Sequence, residues 1–168
     1  MRKNIYYLTL LSICLVQVLL NNYLYISQYI LISLLPAIVA SLPLRFNTIT
    51  SLLMAFVMGL AIDFISLPTL GMSSCALLPC MFVRVPVLKL VYGDNILQND
   101  DNSPLNYQSY KENFISILIF CALYMAVYVW LDGAMTRSFA FNSLRWLCST
   151  LCSSLVCFLC SMILFKDS

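Results

Sequence analysis

The amino-acid sequence predicts an all-α integral membrane protein, a bundle of about six transmembrane helices with no soluble domain of its own. Three observations lead there. Of the 168 residues, 62% are hydrophobic and only 10% are charged, against roughly 25% charged in an ordinary soluble domain. Mean hydropathy is +0.92, and one soluble core of this size could not hide that much apolar surface, so the surface must face lipid. Apolar runs of spanning length recur along the chain, separated by Pro, Gly and Asn. Finally, Lys and Arg gather at one set of run ends. The formal net charge of +2 is too small to point to a nucleic-acid partner.

A spanning helix needs about 20 mostly apolar residues. The first run follows Met1-Arg2-Lys3-Asn4 and covers residues 5–23. No A-x-A cleavage site follows at Leu20-Asn21-Asn22-Tyr23, so an uncleaved first span is expected rather than a signal peptide. The second span covers 26–42, with a kink expected at Pro36. The third covers 49–66, after which Pro68-Thr69-Leu70-Gly71 turns the chain back. The fourth covers 71–91 and contains Pro79 and Pro86. The fifth covers 114–131 and the sixth 146–165. Two hydrophilic loops remain, 92–113 with Asp94, Asp100, Asp101, Lys111 and Glu112, and 132–145. Neither is long enough for a domain, and the whole chain is one transmembrane unit. No internal repeat is visible.

The charges orient this layout. With a cytoplasmic N-terminus, the inner side holds Arg2, Lys3, Arg45, Arg84, Lys89, Lys111 and Lys166, seven cations, and the outer side holds two, Arg137 and Arg145. Six spans then return the C-terminus to the cytoplasm, loop 92–113 is cytoplasmic and loop 132–145 is external. Tyr23, Tyr25, Tyr29, Tyr128 and Trp130 fall at outer ends and Tyr6, Tyr7 and Tyr92 at inner ends, as an aromatic belt requires.

Function is sought first among the polar residues. Two spans carry ridges of small side chains at four-residue spacing: Ser51, Ala55, Gly59 and Asp63 in the third, and Ser149, Ser153, Cys157 and Ser161 in the sixth. Small residues let helix backbones approach closely in lipid, so these faces are expected to pack within the bundle or on a partner. Asp63 lies ~21 Å along its helix from Ile49. A carboxylate there costs free energy. It fits either a site for a proton, ion or substrate, or a cap on backbone N–H groups of the following turn or of the next helix, and the cap is the expected role. Arg84 is the other deep charge. Its long stem, with Lys89 beyond, is expected to carry the guanidinium to the inner headgroups.

Enzymatic chemistry finds little to work with. The chain has no His, so neither a Ser–His dyad nor a His-ligated metal can form, and its four Gly make no phosphate loop. The eight Cys lie inside apolar runs, where they act as small packing residues. Cys157 and Cys160 point about 60° apart on a helix, and no His or carboxylate lies near them. No catalytic residue, cofactor or metal site is expected.

One segment carries a family resemblance. Ala55-Phe56, then Gly59-Leu60-Ala61-Ile62-Asp63, then Leu70-Gly71-Met72 resembles the signature of MreD, the rod shape-determining membrane protein: an apolar span ending in G-x-x-x-D, a short turn, and a Leu-Gly that opens the next span. Arg84 to Leu90 is similar to the basic end of the fourth span in relatives from Bacteroidetes-like bacteria. Many members carry His two residues after the glycine, where this chain has Ser73. The resemblance implies structural roles for Gly59, Asp63, Pro68 and Gly71. It implies a six-helix fold similar to the substrate-binding subunits of energy-coupling vitamin importers. It also implies a non-enzymatic place in the cell-elongation machinery of the bacterial inner membrane, with an MreC-like protein as partner and, through it, the MreB filament, RodA and a class B penicillin-binding protein. The importer-like fold supplies the alternative expectation, a vitamin-binding subunit. Such subunits commonly carry an A-x-x-x-A pattern in the first span, whereas residues 5–20 contain no alanine.

Overall fold

A computed structural model describes residues 2–23, 31–42, 47–66, 71–93, 110–133 and 137–165. They form seven helices and, among the described residues, no strand: α1 (Arg2–Tyr23), α2 (Leu35–Ser41), α3 (Thr48–Ser66), α4 (Met72–Phe82), α5 (Arg84–Tyr92), α6 (Tyr110–Asp132) and α7 (Phe139–Phe165). Among the described residues, α3, α6 and α7 are long and apolar enough to cross a membrane, and α4 with α5 makes a fourth crossing if the bent pair is one span. The described residues therefore make an all-α fold built for a membrane.

Proline chemistry explains where the helices depart from the runs read in the sequence. Residues 26–42 were expected as one kinked span. Within the described part only Leu35–Ser41 is helical, and residues 31–34 are not. Pro36 sits in the first turn of α2. It has no N–H to give to the carbonyl of Ile32, and its ring would collide with that carbonyl, so extending the helix upstream would cost about 3 kcal/mol or more. The fourth span is likewise two helices, bent by 50° at Val83. Pro86 stands four residues after Phe82 and removes the bond that would carry the helix across the break. Pro79, by contrast, is absorbed inside α4.

The two loops are shorter than expected. α6 begins at Tyr110 and runs to Asp132, while α7 begins at Phe139, so most of 132–145 is helical. Pro68, Arg45, Lys166 and the acidic part of loop 92–113 lie outside the described residues.

α2 is wholly buried and sits at the centre. Its Leu35 and Ile38 form the core together with Leu34, Leu77, Phe120, Tyr124 and Met125. The outward face of α7 is a row of exposed leucines, Leu144, Leu147, Leu151, Leu155 and Leu159, opposite its serine ridge. α3 packs along α4 through its own ridge: Ser51, Ala55, Gly59 and Asp63 are all buried. Gly59 is the point of closest approach. A Cβ there would lie 2.7 Å from Ser74 Cα and 2.8 Å from Ser74 N, which are backbone atoms and cannot step aside. The ridge thus packs inside the bundle.

Gly59→Val should therefore destabilise the purified protein by at least the ~1–3 kcal/mol of an overpacked core, read as a lower thermal unfolding midpoint in detergent. Adding Ser74→Gly should restore little, because it removes Cβ and Oγ but leaves the obstructing Cα and N in place.

Candidate functional site

The turn between α3 and α4 is built on one carboxylate. Asp63 is 5% exposed, and its Oδ2 accepts N–H bonds from Gly71 at 3.0 Å and from Ser73 at 3.0 Å. Both donors belong to the start of α4, whose first N–H groups have no partners within the helix. Gly71 precedes the helix at φ +95°, a left-handed conformation that glycine adopts without steric cost. One residue on α3 thereby caps α4 and fixes its entry, and the negative charge lies at the helix end where the macrodipole favours it. Ser74 adds a second tie, its hydroxyl donating to Phe56 O at 3.3 Å.

The second feature is a ladder. Residues 31–34 run non-helically through the interior; only the Leu34 carbonyl is met by α2, through Ala37 N–H at 3.0 Å, and for the groups before it no water would substitute in the bilayer core. Side chains of α7 take that role. Ser149 Oγ accepts the Leu31 N–H at 3.0 Å. Ser153 Oγ accepts the Ser33 N–H at 3.1 Å and donates to Leu31 O at 3.2 Å. Cys157 Sγ donates to Ser33 O at 3.3 Å. The match is metric: alternate residues of an extended chain advance by about 6.6 Å, and every fourth residue of a helix by about 6.0 Å. A helix with a small polar side chain at i, i+4 and i+8 can therefore serve alternate residues of an unwound segment. Ser161, one step further, turns back to its own helix and donates to Phe158 O at 2.8 Å.

The Leu34 N–H is met from the other side. Gln17 Oε1 accepts it at 2.6 Å. Gln17 then donates to Asn21 Oδ1 at 2.8 Å, and Asn21 reaches Ser66 Oγ at 3.4 Å. The Tyr124 phenol, 1% exposed, adjoins the hydroxyls of Ser73 and Ser33 and so links the ladder to the Asp63 turn. Gln17 and Tyr124 were not singled out in the sequence. The signal for Gln17 was a lone amide at the centre of an apolar run. Tyr124 has no such signal, since tyrosine also belongs to the interfacial belt.

The remaining charges take structural places. Arg84 is buried rather than stretched to the headgroups, and its guanidinium donates to Leu42 O at the C-terminal cap of α2. A cation at a helix C-terminus meets the orphan carbonyls and the negative end of the dipole. Lys89 is exposed. Asp132 and Arg145, placed in the sequence within one external loop, form an ion pair between α6 and α7. Gly133 lies directly under the Asn142 carboxamide, where a Cβ would be 2.4 Å from Nδ2. Among the described residues no group of three His, Cys, Asp or Glu is arranged to hold a metal. No family model, curated protein or solved structure matches the chain.

Chemically, this site binds backbone. Its carboxylate, amide, hydroxyls and thiol are committed to N–H and C=O groups of the same chain. Asp63→Ala should cost about 1–3 kcal/mol for each N–H group it orphans, whereas Asp63→Asn keeps a carbonyl acceptor and should cost less; unfolding midpoints in detergent compare the two. Gln17→Leu should destabilise by about 1–3 kcal/mol through the bare Leu34 N–H. Ser161→Ala, off the ladder, should cost clearly less than Ser153→Ala in the same assay.

Proposed function

We propose that this chain is a non-enzymatic, MreD-like scaffold of the bacterial inner membrane, with six spans and both termini in the cytoplasm. It associates with an MreC-like protein and, through it, with the MreB filament, RodA and a class B penicillin-binding protein, and so helps to place peptidoglycan synthesis and maintain rod shape. The observation that carries this reading is the Asp63–Gly71–Ser73 hydrogen bonding, because these residues belong to the segment that resembles the family signature. There they hold two helices together rather than face a substrate. Six spans are supported by the contacts of residues 31–34. Leu31 lies beside Ser149 and Ser33 beside Ser153 and Cys157, so this segment follows α7, as a short, partly unwound span would. α1, with 22 residues, supplies the first span by length.

The vitamin-binding alternative draws on the same unwound segment, since interrupted spans line solute sites in transporters. Against it, the cavity that lies beside α2 is too small for such a solute. That cavity, between Leu35, Ala55, Leu77 and Met81, holds about 10 Å³, no more than about one water, whereas small-molecule sites occupy roughly 300–1,000 Å³.

Affinity purification from the native host should recover an MreC-like protein, and depletion should turn rods into spheres. Normal shape together with no such partner would sink the scaffold reading, and saturable vitamin binding by the purified protein would replace it with the alternative.

A further inference from the structure

Two thiols on neighbouring helices meet at the foot of the ladder. Cys121 of α6 and Cys157 of α7 are both 0% exposed, and their sulfurs are 3.9 Å apart. Cys157 is at the same time the donor to Ser33 O. The two sulfurs are therefore in contact, and one of them also holds the unwound segment in place.

We propose that Cys121 and Cys157 are an oxidisable dithiol, a modification site whose closure releases residues 31–34 from their last rung on α7. Bridging requires the sulfurs to approach from 3.9 Å to ~2.04 Å. Both S–H bonds break and one S–S bond forms. The two electrons pass to a lipid-soluble two-electron oxidant, of which a quinone is the membrane class, and the two protons go with them to give the hydroquinone. Full burial keeps charged, water-borne oxidants and thiols away, so the reaction belongs to uncharged reagents that enter through the bilayer when the α6–α7 contact opens. The product has no S–H. Ser33 O then loses its donor in a medium without water, which is the costly half of breaking a hydrogen bond. Oxidation thus stiffens the α6–α7 contact and at the same time loosens the segment that α7 holds. Cys160, three residues further along α7 and only half-buried, lies on a different side of the helix and does not substitute for Cys157.

The probe is molecular iodine added to the protein in lipid nanodiscs, at a dose that oxidises the exposed Cys75. Peptide mass spectrometry should find Cys121 joined to Cys157, and dithiothreitol should undo the link. Amide hydrogen exchange at Ser33 and Leu34 should rise at least several-fold on bridging and return on reduction. Cys157→Ser keeps a hydroxyl donor for Ser33 O but cannot bridge, so its exchange at these amides should not respond to iodine. Two free thiols after Cys75 has reacted would overturn the proposal. A bridge that leaves exchange at Ser33 and Leu34 unchanged, or a response that persists in Cys157→Ser, would overturn the release of the segment.

Discussion

The hydrogen-bond ladder between α7 and residues 31–34 is the interaction on which the bundle turns. In lipid, an unpaired backbone N–H or C=O costs several kcal/mol, so an unwound stretch in the interior exists only where the protein supplies partners. Ser149, Ser153, Cys157 and Gln17 supply them from two helices. Their positions determine which face of α7 points inward, and with it which face shows leucine to the lipid. They also bring α1 to the centre through Gln17. Pro36 creates the need for these partners, and the four-residue spacing on α7 answers it.

The Asp63 turn does for α3 and α4 what the ladder does for α7. In both places a polar side chain reaches a backbone with no helical partner of its own, and small residues let the helices come close enough for that reach. Gly59 against Ser74 is the tightest case. Arg84 on Leu42 O continues the pattern at the other end of α2. Polar groups in this protein hold broken backbone in place, which fits a molecule that acts through its surfaces.

Much of this was legible in the sequence. The apolar runs located α1, α3, α6 and α7, and the spacing Gly59, Asp63, Gly71 located the turn and the cap. Both small-residue ridges were visible, and both pack inside the bundle. What stayed hidden followed from prolines and from pairing at a distance. A proline in an apolar run allows a kink, a break or an uninterrupted helix, and Pro36, Pro86 and Pro79 took those last two outcomes for reasons set by their surroundings. The partners of Ser149 and Ser153 lie more than a hundred residues away, and no local pattern shows that a serine face serves unwound backbone rather than a helix. Arg84 was misplaced because a long cationic stem serves equally to reach a headgroup or a helix end.

The ladder also sets a timetable for biosynthesis. Leu31 and its partner Ser149 are 118 residues apart, and at about 5–20 residues per second the ribosome needs roughly 6–24 s to make the second after the first. During that interval the backbone of residues 31–34 has no α7 to bond to. The nascent segment must wait at the translocon or in contact with water, and its entry into the bilayer core is tied to the arrival of α7.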